Sequence, residues 1–542
     1  MFLKNLSNVC SITNFFTADS NQSYKLAFIL LIGFMVSLSL ILINIGLPPI
    51  NSMPWDVMVQ LDAAWRVANG QVPNVEFHPL IPPLTILPTA FWMKIISPSA
   101  SSIAYGNVLQ FVILTPWAYF IARSRLSATN AFLFATFIGV LLVAPRPLGW
   151  AQNATTYAML YNRQGWALLS MLFIEILVFH RKAIQPREVL RGVSSGILLA
   201  LLLFCKPSFL VIGVSAILIR CFFFRPPRAW LISFLITLLF MYLCMHVFFR
   251  LSFFSYISEV MSIAPIYIRS RAANRFSRII LDNFIYLYIT MVPLLMLINE
   301  SSQTKRRVWL LFTVPCILVM SVFLCATSTQ LTDIPGFFIA GLICLEYLRR
   351  ESQSSGHPIN SQIRAIYLYS ILIIIPFLAG PILIKDLGSI AYSAFWHQVK
   401  LPHMAESQRF QSKTLSDFAI PEPVAKLVQV FPQKINDGLF LLRKYVSSDH
   451  RIFVFDFSNI FFFALELSPT RKGDVLMWGF NYTFDYKHFP NAETVFQGVN
   501  IVMIPESPDP TVNAMKYLYR NYLDKYFVMK ENSKYWTLFT RR

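Results

Sequence analysis

The chain has 542 residues, of which 56% are hydrophobic and only 13% charged, and its mean hydropathy is +0.54. A soluble globular chain carries about a quarter charged residues, and the apolar residues here come in runs of roughly twenty, enough to cross about 30 Å of hydrocarbon; that composition rules against a soluble single-core enzyme. The net charge of +19 raises nucleic acid as a partner, but its placement argues against it: residues 385–542 carry 19 Lys/Arg against 15 Asp/Glu, so most of the excess lies in loops between apolar runs, as cytoplasmic loops and anionic lipid require.

The N-terminus is polar as far as Lys25. The apolar run from Leu26 to Leu47 is too long for a signal h-region and has no clear cleavage site, so it predicts a first transmembrane helix rather than a cleaved leader. Residues 48–101 then form a first outer loop. Further helices are predicted at 102–122, 127–145, 164–180, 192–205, 207–224, 229–249, 279–298, 308–326, 335–348 and 363–384, about eleven crossings in all. The runs 192–205 and 335–348 are short, and Lys206-Pro207 interrupts the chain as in broken helices that line a cavity. Segment 80–97 is apolar but holds Pro82, Pro83 and Pro88, so it reads as interfacial or re-entrant. If it does not cross, Arg123/Arg125, Arg181/Lys182/Arg187/Arg191, Arg220/Arg225/Arg228, Lys305/Arg306/Arg307 and Arg349/Arg350 all fall on one side, the cytoplasm by the positive-inside rule. The outer loops are then 48–101, 146–163, 250–278 and 327–334.

Two domains follow: a transmembrane unit over 1–384 and a soluble α/β domain over 385–542, placed outside by the odd crossing count. In the latter, Arg451–Asp456 and Val499–Pro505 read as buried strands, Thr511–Tyr526 as a helix and Phe527–Thr540 as a closing hairpin. All seven cysteines precede residue 385, mostly inside apolar runs where Cys behaves as a small hydrophobe. No internal repeat or low-complexity tract is present.

The first outer loop carries the most chemical information. Met58, Leu61, Trp65 and Ala68 fall at helical spacing, which predicts a short amphipathic helix on the membrane surface. Asp56 sits in its first turn, where a carboxylate also suits the helix dipole. Asp62 borders the apolar stripe and can pair with Arg66 at i,i+4, as a structural partner or as a working acid. Glu76 and His78 follow in the loop, as site groups or as ordinary loop residues. The second signal is cationic charge on the outer side: 250–278 holds Arg250, Arg269, Arg271, Arg275 and Arg278 against Glu259 alone. Arg271, Arg275 and Arg278 share one helical face. Arginine forks match phosphate oxygens, which points to a lipid-linked phosphate or to plain headgroup contact; Lys206 at its helix break suits the same phosphate. There is no HExxH, CxxC, P-loop or Gly-rich nucleotide motif, so no metal or nucleotide cofactor is indicated.

An acidic residue just after the first transmembrane helix, an Ala-rich amphipathic helix, a Gly and then Pro82-Pro83-Leu84 resemble the polyprenyl-phosphate-sugar glycosyltransferases of the GT-C fold. That group includes protein O-mannosyltransferases and the transferase that adds aminoarabinose to lipid A. Asp56 stands fourteen residues before Gly70, near the family spacing of its first-loop catalytic acid. The odd crossing count, the outer C-terminal domain and the loop bearing Tyr161-Asn162-Arg163 extend the likeness. The chain departs from the pattern in three places: the common Asp-Glu pair is Asp56-Val57, the residue before Pro-Pro-Leu is Ile81, and the second outer loop has no clear acid. The resemblance implies an inverting transferase in a bacterial inner membrane. It would move a hexose or pentose from a polyprenyl-phosphate donor to a glycan, lipid or protein acceptor in the cell envelope. Asp56 is the implied general base, with Asp62 beside it and Arg66, Glu76, His78, Arg163, Lys206, Arg269, Arg271 and Arg275 binding substrate. The family includes both metal-dependent and metal-free members. A polysaccharide polymerase or ligase using a pyrophosphate-linked donor, and a lipid or glycan transporter, are the alternatives; the absence of evident charge pairs across the bundle counts against the transporter.

Overall fold

The structure is a computed structural model. It describes residues 20–542 apart from 80, 181–186, 251, 262–272, 301–303, 329, 355–359, 422–425, 449, 472–476, 478–483, 485, 488 and 507–508.

Every apolar run expected as a helix is helical. In chain order the helices are α1 (Asn21–Ile45), α2 (Pro54–Ala68), α3 (Pro83–Ile95), α4 (Ser102–Arg123), α5 (Ala128–Val143), α6 (Leu160–Leu177), α7 (Glu188–Leu203), α8 (Pro207–Phe223), α9 (Arg228–Phe249), α10 (Ala273–Asp282), α11 (Phe284–Glu300), α12 (Thr304–Ala326), α13 (Pro335–Ser354) and α14 (Asn360–Phe395). Among the described residues four helices are long and apolar enough to cross a membrane, or five if α10 and α11, bent by 64° at Asn283, form one broken span. Their outward faces are apolar: Ile29, Leu40, Leu239 and Val319 are exposed. Such a surface is unfavourable in water and suited to lipid. α7 and α9 pack backbone to backbone through Gly192 and Gly196; a Cβ at Gly192 would fall 2.4 Å from the Trp230 carbonyl oxygen, the close approach that small residues permit between membrane helices.

α14 does not end at residue 384 but runs on to Phe395. Lys385 and Asp386 look like a polar exit from an apolar run, yet Asp386 is fully buried and ion-paired inside the bundle. Beyond it, α15 (Phe431–Tyr445), β1 (Ile452–Val454), β2 (Ile501–Pro505), α16 (Pro510–Tyr526), β3 (Phe527–Asn532) and β4 (Trp536–Arg541) follow. They form a four-stranded sheet in the order β1-β2-β4-β3, with β1 and β2 parallel and the other pairs antiparallel. β2 is buried throughout, which explains its unbroken apolar sequence.

The surface placement expected for α2 is corrected by its burial. Val57, Met58, Leu61, Ala63 and Ala64 are all buried, and so are Gln60, Asp62 and Arg66 on the other faces. The local pattern marks only one apolar stripe; the rest of the helix is covered by chain from the C-terminal part. Trp65 Nε1 donates to the Leu467 carbonyl at 2.9 Å and its ring meets Phe463 edge-on. Ile50, Val57, Leu61 and Phe77 share one apolar core with Phe418, Leu439, Phe461, Ile501 and Trp536. The seam is also pinned by backbone: Ile50 N–H donates to Ala419 O at 2.8 Å, and Ser101 N–H to the Asp417 carboxylate at 2.7 Å.

The bundle does hold buried charge pairs, contrary to expectation. Arg146 contacts Asp386 at 2.7 Å and Asp333 at 2.9 Å, Arg163 contacts Asp386, and Arg349 and Arg350 converge on the buried Glu346. Glu346 pairs locally with Arg349 and Arg350 at i,i+3 and i,i+4, but Asp333 and Asp386 lie far in sequence from Arg146 and Arg163, so no local pattern displays that network.

Candidate active site

The chain enters α2 through Met53, whose backbone is left-handed (φ 49°, ψ 52°), a conformation uncommon outside glycine. Pro54 follows at the first helical position, where its missing N–H costs nothing. Asp56 therefore lies in the first turn, at the positive end of the helix. It is half-buried, and among the described residues no side chain hydrogen-bonds or ion-pairs with its carboxylate. Desolvation lifts its pKa to about 7. A carboxylate held near neutrality without a partner is suited to taking and giving protons at physiological pH.

Asp62 forms the expected pair with Arg66 at 3.1 Å. Both are buried, and Arg66 also donates to Thr470 O at 2.8 Å between the rings of Phe77 and Phe462. Burial raises the Asp62 pKa to about 6, with Arg66 opposing the rise. The pair ties α2 to the 463–470 segment.

Glu76 caps its own turn, accepting from Val72 N–H at 2.8 Å. His78 Nδ1 lies 3.2 Å from Glu259, which also takes a hydrogen bond from Asn74 Nδ2 at 2.5 Å. Immediately after, the Pro-Pro-Leu turn docks on the α7–α8 break: Leu84 N–H donates to Phe204 O at 3.1 Å, and Thr85 Oγ1 to Gln164 Oε1 at 2.5 Å. Two residues beyond Phe204, Lys206 Nζ reaches Asn162 Oδ1 at 3.1 Å and Thr327 O at 3.4 Å over the Tyr161 ring. Arg275 Nη1 donates to the adjacent Ser328 O at 2.8 Å. Lys206 and Arg275 are distant in sequence, yet the fold brings them to one turn beside Pro-Pro-Leu. Arg278 points elsewhere, being exposed and 3.4 Å from Asp282. Arg269 and Arg271 lie outside the described residues.

Tyr161-Asn162-Arg163 is not loop but the first turn of α6. Asn162 turns toward Lys206. Arg163 turns the other way, into the bundle, donating to Leu141 O at 2.8 Å, Arg146 O at 2.9 Å and the Asp386 carboxylate. The sequence did not point to Asn162, Asp333 or Asp386 individually. Among the described residues no group of three His, Cys, Asp or Glu side chains is placed to hold a metal ion.

The apolar outer helix faces and spans define an α-helical integral membrane protein. No protein-family model matches the sequence, and no curated protein does. Among solved structures, the chain is similar to ArnT from Cupriavidus metallidurans bound to undecaprenyl phosphate, at 12% identity and TM-score 0.46, over 94% of this chain and 97% of that one. It is similar also to ArnT from the same organism in the apo state, at 11% identity and TM-score 0.42 over the same shares.

Proposed function

We propose that the chain is a membrane glycosyltransferase that moves a sugar from a polyprenyl-phosphate donor to an acceptor at the outer face of a bacterial inner membrane. The observation that carries this reading is the unpartnered carboxylate of Asp56, tuned near neutrality by burial and set in the first-loop position where the resembled family keeps its catalytic acid. The acceptor hydroxyl attacks the anomeric carbon while Asp56 takes its proton. The bond from that carbon to the phosphate oxygen breaks in the same displacement, so the configuration inverts. The polyprenyl phosphate leaves with its charge held by the cations at Thr327-Ser328, Lys206 and Arg275. Asp62 and Arg66 fix the helix that aims Asp56.

The decisive measurement compares lipid-linked sugars and envelope glycans of a deletion strain with its parent by mass spectrometry. Accumulation of one sugar monophosphate lipid, with loss of one sugar from a glycan, is expected. A pyrophosphate-linked donor accumulating instead would make the protein a polymerase or ligase. Glycans unchanged in composition would point to the transporter, which the buried ion pairs otherwise favour.

Two further results are expected. Arg275→Ala and Lys206→Ala each raise the apparent KM for donor by about tenfold or more, the worth of one charge-assisted hydrogen bond; Arg275→Lys restores only part of it, lacking the fork. Wild-type donor kinetics in both alanine variants would remove these cations from the site. Reporter fusions after residue 385 should be active only outside the cytoplasm, and fusions at 185 and 304 only inside. A cytoplasmic C-terminus would overturn the odd crossing count and, with it, the resemblance to the family.

A further inference from the structure

A cavity of about 520 Å³ opens where the C-terminal end of α4 meets the end of α6 and the start of α7. α4 has 22 residues, so this cavity lies about 33 Å along the helix from Ser102 and the first-loop seam. It belongs to the end of the bundle where the cationic clusters gather, not to the Asp56 end. Arg123, Arg125, Arg187 and Arg191 line it, with Glu175 as the one carboxylate among the described residues of its wall and His180 beside them.

The wall has more donors than acceptors. Glu175 is engaged by Ser194 Oγ at 2.9 Å and Ser195 Oγ at 3.2 Å, and reaches Arg125 Nη2 only at 4.0 Å. Arg125 is 2% exposed, and among the described residues its Nη2 has no hydrogen-bond acceptor. Among the described residues Arg191 Nε and the His180 ring, which when neutral has one N–H to donate, are likewise buried without a partner. Arg191 spends its Nη1 on Glu188 just outside the cavity, at 2.7 Å. Behind the wall, Arg350 donates to the Arg125 and Phe179 carbonyls while pairing with Glu346. Buried donors without acceptors are costly, and several pointing at one space are answered by an anion with several oxygens. The rim is apolar on its outer side: Phe120 is 53% and Leu190 56% exposed, with Trp117 between cavity and surface.

We propose that this cavity holds the phosphate headgroup of an anionic lipid, with the lipid's hydrocarbon lying along Trp117, Phe120 and Leu190. Four arginines and the unpartnered donors take the phosphate oxygens, and the exposed apolar rim continues into the bilayer. The site is independent of the proposed transfer reaction and stands or falls separately from it.

The test uses the full-length protein purified in neutral detergent, with thermal unfolding and native mass spectrometry as readouts. Dioleoylphosphatidylglycerol should raise the melting temperature saturably and remain as one bound lipid, while dioleoylphosphatidylcholine and inorganic phosphate should not. Arg187→Gln/Arg191→Gln should weaken the lipid by about tenfold or more. Arg187→Gln alone, at an exposed position where folding is not at stake, should weaken it in the same direction. Equal shifts from both lipids would overturn the site. A saturable shift from inorganic phosphate alone would overturn the lipid and leave a soluble-anion site. Undiminished phosphatidylglycerol binding in Arg187→Gln would overturn the placement in this cavity.

Discussion

Asp56→Asn should lower turnover by at least about two orders of magnitude, the usual contribution of a general base, while the protein still inserts and binds donor. The amide keeps the side chain's shape and removes only its ability to take a proton. Wild-type kcat/KM should rise with pH through about 7 and level off above it, since the base must be ionised. Stability should move the opposite way. A carboxyl whose folded pKa is raised holds its proton more tightly in the folded state; the stabilisation is complete below the ordinary carboxylate pKa and is lost as pH rises through about 7. At pH 8 the Asn variant should therefore melt no lower than wild type. An Asp56→Asn enzyme with near-normal turnover would refute the assignment. A dead Asp62→Asn beside it would move the base six residues along the helix.

Asp386→Ala should be among the most damaging single changes to stability, at about 3–5 kcal/mol, because it leaves buried guanidinium groups without a counter-charge. Asp386 is fully buried and takes contacts from both Arg146 and Arg163. Arg146 retains Asp333 at 2.9 Å, but Arg163 keeps only the carbonyls of Leu141 and Arg146. The double variant Arg163→Met/Asp386→Leu should recover much of the loss, since removing both partners also removes the unpaired charge. Melting curves in detergent decide it, and an Asp386→Ala protein that melts like wild type would show that the network carries no weight.

The helices were legible because hydropathy and length are local properties. Lys25 and the run from Leu26 announce α1, and Arg451–Asp456 and Val499–Pro505 announce the sheet to within two residues. The fate of α2 was not legible. Its stripe of Met58, Leu61 and Trp65 reads as a helix lying on a membrane, and the surface that covers its other faces comes from residues some four hundred positions later, such as Leu467 and Thr470. Asp386 looked like the start of a soluble domain because its partner Arg163 is 223 residues away. In the candidate site, Asp56, Lys206 and Arg275 could be named from charge and position. That Lys206 and Arg275 reach neighbouring carbonyls required the fold.

The shared core of α2 and the sheet also sets an order in time. Val57 and Leu61 pack in the same cluster as Trp536 and Leu538, at the far end of the chain. The helix that carries Asp56 leaves the ribosome long before β4 does, by roughly half a minute to a minute and a half at ordinary synthesis rates. For most of that interval, until residues 462–470 are made, the Asp62–Arg66 pair lacks the Thr470 carbonyl and the ring of Phe462 that complete it. A nascent chain therefore holds α2 with its covering incomplete, and the shared core closes only once β4 is made.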